Sequence, residues 1–465
     1  MCALPLGCSA ALKFDQCAVD SDCAHLVSDS SSTYCSASHV CTSDVPADRL
    51  CKLDPKSSTS SSAVTIGGLF RLNGGDGAKD TDVADAATLA ITEINQVSPR
   101  KLRFVRCDTG GTATQARRAL TRAVEEFGAV AFVGPSSSGE TIGLVNDVNG
   151  GENLLARYDV IVVSDSATSP SITSLSDVRP GATFGLVWRT CASDLLQGSV
   201  LASLVDTTST KVGSAYLAGA YGGGLSNAFG AALGAQSKVT PTAKSFPEGT
   251  GGSALVDFFK ADPPQFALVV SDADAPNWLT ALGAGGTTLS KTQYLFTDGA
   301  KSEALRMASD ALPTEFLLRL RGTAPTNPPT TAGTNFINNY KGEYAPRDPT
   351  NVAFTSNTYD AVYAIAIAMG AIIPGSVITG SFIADGMSRL SSASDPSLHI
   401  NVGQNGFLAA YTALAMRQTV NLEGASGPID FDSATGDVLT APLEIWDIDT
   451  TVTPHEFGRV KIVTP

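Results

Sequence analysis

The sequence predicts an α/β protein built of two doubly wound parallel-sheet lobes and preceded by a small disulfide-rich segment. Three observations carry this. Short β-branched apolar runs alternate with helix-periodic stretches from Val64 to Val163, and a second series of the same kind runs from Cys191 to Thr297. A chain of 465 residues is too long for one compact unit. Seven of the nine cysteines lie in the first 51 residues, where too few apolar side chains are present to build a core.

The elements follow in order. Residues Asp54 to Ala63 (DPKSSTSSSA) read as a Ser-rich linker between a cysteine-rich module, 1–53, and the globular body. Val64 to Phe70 reads as a strand, and Val83 to Val97 as a helix with Val83, Ala86, Ala87, Ala90, Ile91 and Ile94 on one face. A strand at Leu102 to Val105 and a helix ending near Phe127 lead to the most telling feature. There, Ala129 to Val133 runs into Gly134-Pro135-Ser136-Ser137-Ser138-Gly139, and thirty residues later Val160 to Val163 runs into Ser164-Asp165-Ser166-Ala167-Thr168. Each apolar run stops at small hydroxyl residues. That is how a parallel sheet presents hydroxyls and backbone N–H groups to a small polar ligand at its carboxyl edge.

In the second series, helices at Asp194 to Val205, Leu225 to Leu233, Ala254 to Phe259 and Pro276 to Leu282 alternate with strands at Val212 to Leu217, around Val239, at Phe266 to Val270 and at Tyr294 to Thr297. A long apolar helix, Tyr359 to Ile373, and late strands at Ile429 to Phe431, Leu443 to Asp447 and Val460 to Val463 complete the chain.

Four cysteines are spaced C-x5-C-x11-C-x5-C from Cys17 to Cys41, and six from Cys8 to Cys51 could form three bridges of undetermined connectivity. A zinc site fits less well, because its ligand pairs usually sit closer together and His25 and His39 follow no zinc pattern. Disulfides imply an oxidising compartment, the periplasm or cell surface. The chain is read as starting after a secretory leader, with Cys2 either a lipid-carrying residue or a pairing cysteine. Cys107 and Cys191 either pair with each other or are separate buried thiols.

The net charge of −14 argues against nucleic acid as a partner and fits a soluble monomer. The apolar run from Ala361 to Ile373 is too short to span a bilayer. A hydrolase elbow needs Gly-x-Ser-x-Gly, and Gly134 to Gly139 has one residue too many. No Gly-rich stretch ends as a phosphate-binding loop does, and no dinucleotide fingerprint is present. Asp430, Asp432 and Asp437 lack the spacing of a calcium loop. Neither a cofactor nor a metal nor an enzymatic activity is expected.

From Val64 to Pro465 the chain resembles the type I periplasmic solute-binding proteins, in particular the branched-chain amino-acid-binding branch that serves ABC importers. Seven collinear segments carry the resemblance: Ile66 to Gly74, Ala86 to Asn95, Val133 to Ser138, Val163 to Thr173, Trp188 to Gly198, Tyr221 to Leu225, and Ser426 to Asp432. The family's fold implies a three-strand hinge, with lobe 1 formed by 64–187 and 322–429 and lobe 2 by 188–321 and 430–465. It implies a small-molecule ligand, an amino acid or related polar metabolite, and an ABC permease as partner. The alternatives are a ligand-sensing receptor module or a surface interaction protein on the same clamshell.

By matching position, the resemblance places Ser138 and its neighbour Ser137 at the ligand carboxylate. Ser166 and Thr168 fall at the carboxylate and ammonium, Tyr221 over the ligand, and Asp298 at the amino group. Three departures stand out. The family often has Pro at the position of Arg71, Leu at that of Ser136 and Pro at that of Asp165, so Ser136 implies a more polar or larger ligand than leucine. Asp272 and Asp274 stand where some relatives have aromatic residues. Asp272 is a candidate contact, whereas Asp274 reads as a solvated loop residue.

Overall fold

The computed structural model describes residues 17–19, 22–23, 34–42, 44–72, 77–146, 151–237, 239–392 and 394–464. Cys2, Cys8, His25 and the turn at Asn73-Gly74 lie outside these residues.

The front module contributes a small hairpin, β1 (Tyr34–Cys35) with β2 (Cys41–Thr42), held by disulfides Cys17–Cys35 and Cys23–Cys41. Its last strand, β3 (Cys51–Leu53), joins the first large sheet. That sheet also contains β4 (Val64–Phe70), β5 (Leu102–Asp108), β6 (Ala129–Val133), β7 (Ile161–Ser164) and β8 (Val187–Arg189), in the order β3-β5-β4-β6-β7-β8. Every pairing is parallel except that of β3 with β5.

Two expectations about the front of the chain are corrected here. Cys51 does not pair within the module, and Cys107 does not pair with Cys191. The antiparallel register sets Cys51 opposite Cys107, and these two form the third disulfide, while Cys191 is a buried free thiol. The Ser-rich stretch is also no free linker. Asp54 N–H donates to the Phe104 carbonyl, Ser58 N–H to that of Leu102, and the Asp54 carboxylate holds Arg106 Nε at 2.6 Å. A polar composition can mark a segment that hydrogen-bonds to a sheet edge as readily as one that floats.

The second sheet is built from β9 (Val212–Leu217), β10 (Thr242–Phe246), β11 (Phe266–Val270), β12 (Gln293–Phe296) and β13 (Leu320–Pro325), parallel in the order β10-β9-β11-β12-β13. The strand expected around Val239 starts at Thr242 instead, since Pro241 has no N–H to give to a ladder. The chain then returns to the first lobe. There the helix Thr355–Ala368 is buried along its whole length, its alanines letting it lie close to the helix Gly77–Val97. A small sheet of β14 (His399–Asn401), β15 (Asn421–Glu423) and β16 (Pro428–Ile429) closes that lobe. Finally β17 (Leu443–Asp449) and β18 (Glu456–Val463) add antiparallel strands to β13, so the chain passes between sheets after β8, after β13 and between β16 and β17.

The passages are tied to each other. The Arg189 guanidinium, at the end of β8, is fully buried and reaches Asp437 in the third passage, with Nε to Oδ1 at 2.5 Å and Nη2 to Oδ2 at 2.9 Å. Nη1 donates to the carbonyls of Ala167 and Ser169, and Nη2 also donates to Thr173 Oγ1. Asp437 thereby serves an ion pair rather than a calcium loop, and Asp432 accepts from the N–H of Ala434 in its own turn.

Candidate ligand-binding site

A parallel sheet gathers its loops at the carboxyl ends of its strands. Here the two sheets turn those ends toward a shared cleft. From the first lobe come Arg71 after β4, Ser136, Ser137 and Ser138 after β6, and Ser166 after β7. From the second come Tyr221 after β9, Asp272 after β11, and Asp298 with Gly299 after β12. Of the residues expected at the ligand, only Thr168 does not line the cleft. It is buried behind it, with its hydroxyl beside the Asp194 carboxyl.

The serines of the first lobe have defined local roles. Ser137 is the N-cap of the helix Ser138–Val145 and accepts from Glu140 N–H at 3.3 Å, which sets the positive end of that helix at the cleft wall. Ser138 Oγ accepts from Ser169 N–H at 3.1 Å and so joins the β6 and β7 loops while keeping its own proton to donate. Ser166 Oγ donates to the Ser136 carbonyl at 2.9 Å. The Ser136 hydroxyl is buried at the cleft with no hydrogen-bond partner.

The second lobe presents a fixed acid. Tyr221 Oη donates to Asp298 Oδ1 at 2.5 Å, and Gly299 N–H donates to the same oxygen at 2.8 Å. With its amide turned the other way, Gln197 bonds both the Asp298 N–H and Asp298 Oδ2. Glycine is needed at position 299, because a Cβ there would lie 2.8 Å from the Ser271 carbonyl oxygen and 3.0 Å from Tyr221 Oη. Tyr221 belongs to the helix Ala220–Ser237, which also takes in Gly222, Gly223 and Gly224. Gly224 in that helix comes against Ser169 and Pro170 of the other lobe, where a Cβ would be 3.0 Å from Ser169 Oγ.

Several cleft residues were not foreseen. Asp80, near the start of the helix Gly77–Val97, accepts the Arg71 N–H at 2.6 Å. Glu140 is 1% exposed, and neither carboxylate oxygen makes a hydrogen bond. Burial pushes its carboxyl above the ordinary range, with the Arg71 charge and the nearby Thr109 and Ser137 hydroxyls opposing the shift. Behind the cleft, burial and the Asp298 charge hold the Asp194 carboxyl well above its usual range, and burial does the same to the Cys191 thiol. Val83 and Phe354 are the apolar members of the wall. Asp274 is corrected from a solvated loop residue to a buried one, which accepts Gly249 N–H at 2.7 Å.

The sequence profile of the periplasmic binding protein family matches residues 63–445. The chain belongs to that family. The Leu/Ile/Val-binding protein BraC3 of Rhizobium johnstonii is 31% identical over 265 residues, 53% of this chain and 68% of the relative. The chemotactic signal transduction system substrate-binding protein BasB of Halobacterium salinarum is 26% identical over 392 residues, 82% of this chain and 84% of the relative. Among solved structures, the branched-chain amino acid transporter substrate-binding protein LivJ of Streptococcus pneumoniae, in complex with isoleucine, superposes with a TM-score of 0.65 at 19% identity. It covers 87% of this chain and all of that one. A Rhodopseudomonas palustris solute-binding protein in complex with 3,4-dihydroxybenzoic acid superposes with a TM-score of 0.66 at 14% identity, covering 87% and 98%. The two-lobe fold is therefore that of the type I periplasmic binding proteins. The family consists of substrate-binding proteins rather than enzymes and works outside the cytoplasm with ABC transporters.

Proposed function

We propose that this protein captures an amino-acid-like solute between its two lobes and delivers it to an ABC permease. The observation that carries the reading is the opposition across one cleft of two chemically different walls. One is a serine-rich edge ending in a helix N-terminus, and the other is the Asp298 carboxylate braced by Tyr221. A zwitterion needs N–H and O–H donors for its carboxylate and an acid for its ammonium. Ser137, Ser138 and Ser166 supply the first, with Thr168 behind them, and Asp298 with Tyr221 supplies the second. Asp272 and Arg71 complete the enclosure. The protein acts as a monomer in this reading.

Binding to the native state raises the melting temperature by mass action. A thermal-shift screen against amino acids, small peptides, aromatic acids and polyols is expected to give a hit among amino acids that is lost in Asp298→Asn. A hit confined to acids without an amino group would remove Asp298 from the site.

The similarity to BasB over most of the chain favours a second use of the same clamshell, in which the closed form is read by a membrane receptor. Co-purification of the loaded protein with a permease or with a receptor separates the two.

A further inference from the structure

Resting on the reading above, the chemistry of the cleft narrows the solute. A site for an aliphatic side chain is lined mainly by apolar groups. Among the described lining residues, Val83 and Phe354 are the apolar ones apart from the Tyr221 ring, and the Ser136 hydroxyl is left without a partner in the wall.

Among the described residues, the carboxylates of Asp80, Glu140, Asp272 and Asp298 and the guanidinium of Arg71 line the cleft. That guanidinium already faces the Glu248 carboxylate of the other lobe at 3.5 Å. Asp298 has its Tyr221 and Gly299 donors, and in the reading above it takes the α-ammonium. Glu140 is different. It stands at the third position of its helix with Ser137 as N-cap, the arrangement from which a glutamate commonly reaches back to cap the helix start. The Arg71 charge, the Thr109 hydroxyl and Ser137 stand near it, but neither of its oxygens completes a well-formed hydrogen bond, although the residue is almost wholly buried and lines the cleft. A desolvated carboxylate that completes no hydrogen bond is costly unless a cation or an N–H donor meets it.

We propose that the part of the cleft around Glu140, Asp80 and Ser136 receives a cationic side-chain group, so that the preferred solute is a basic amino acid of the lysine, ornithine or arginine type. The α-carboxylate and α-ammonium are held by the serine edge and Asp298, and the second cation lies against Glu140.

Calorimetric titration of the native protein with lysine, arginine, leucine, glutamate, 4-hydroxybenzoate and cadaverine tests this. Lysine or arginine is expected to bind at least tenfold more tightly than leucine. Cadaverine, which keeps both cations and lacks the carboxylate, is expected to bind at least tenfold more weakly than lysine. Glu140→Gln, with its melting curve confirming a folded chain, is expected to cut lysine affinity at least tenfold and leucine affinity less than threefold. Leucine binding as tightly as lysine would overturn the basic-solute proposal and leave the amino-acid reading standing. Preference for glutamate would also overturn it, with Glu140 then acting as a neutral acid beside Arg71. Binding of 4-hydroxybenzoate alone, or of no amino acid, would overturn both readings.

Discussion

Two buried charged groups of the first lobe invite comparison. Arg189 has every face of its guanidinium occupied, by both Asp437 oxygens, the Thr173 hydroxyl and two carbonyls. Glu140 is buried to almost the same degree and completes no hydrogen bond. The difference teaches how to separate architecture from site in a protein full of polar loops. A buried charge whose partners are all inside the chain fixes geometry, here the relation between two passages that connect the lobes. Glu140 has the Arg71 charge and the Thr109 and Ser137 donors near it but completes no hydrogen bond with them, and in the proposal above its partner arrives with the solute.

The largest effect should come from breaking the satisfied group. Arg189→Met leaves the Asp437 carboxylate and the Ala167 and Ser169 carbonyls without their donors, and the loss of one member of a buried pair costs roughly 3–5 kcal/mol. Denaturant unfolding should show a loss of that size. A change below about 1 kcal/mol would mean that the pair is dispensable and that the contrast with Glu140 is unfounded.

A gentler way to sharpen the comparison is Asp360, a third buried ionisable group. It accepts from the N–H groups of Ala425 and Ser426 and from Ser426 Oγ, yet burial still pushes it up to about 7. A folded-state value above the unfolded one means that the native protein binds the proton more tightly. The contribution is then full below the unfolded value near 3.8 and lost as the pH rises toward about 7. The stability difference between the native protein and Asp360→Asn should therefore shrink over that interval, by up to roughly 1.4 kcal/mol per pH unit. A difference that stays constant or grows with pH would show that the donors, not burial, govern this group.

Much of this was legible in the sequence because the fold brings together residues already adjacent in the chain. Ser136 to Ser138 follow a β-branched run, Asp298 follows another, and the carboxyl ends of parallel strands collect them at one edge. What was missed depends on spatial neighbours. Glu140 and Asp194 each stand in the first turn of a helix, where an acid is favoured by the dipole alone, so neither announces itself. Capping-box spacing from Ser137 to Glu140 even points the other way, toward a satisfied carboxylate. Cys51 with Cys107 was hidden for a similar reason, since only the antiparallel register of β3 on β5 sets them opposite each other. The Ser-rich stretch from Asp54 looked detached because its partners, Leu102, Phe104 and Arg106, lie nearly fifty residues on.

The central claim is that the Glu140 charge is kept at a cost to the empty protein. The most direct test is the unfolding free energy of Glu140→Gln measured without added solute, against the native chain, near neutral pH. Removing an unpaired buried charge while preserving its shape should leave stability unchanged or raise it by about 1 kcal/mol. A loss of more than about 2 kcal/mol would show that the carboxylate is already paired within the fold and is architecture like Arg189.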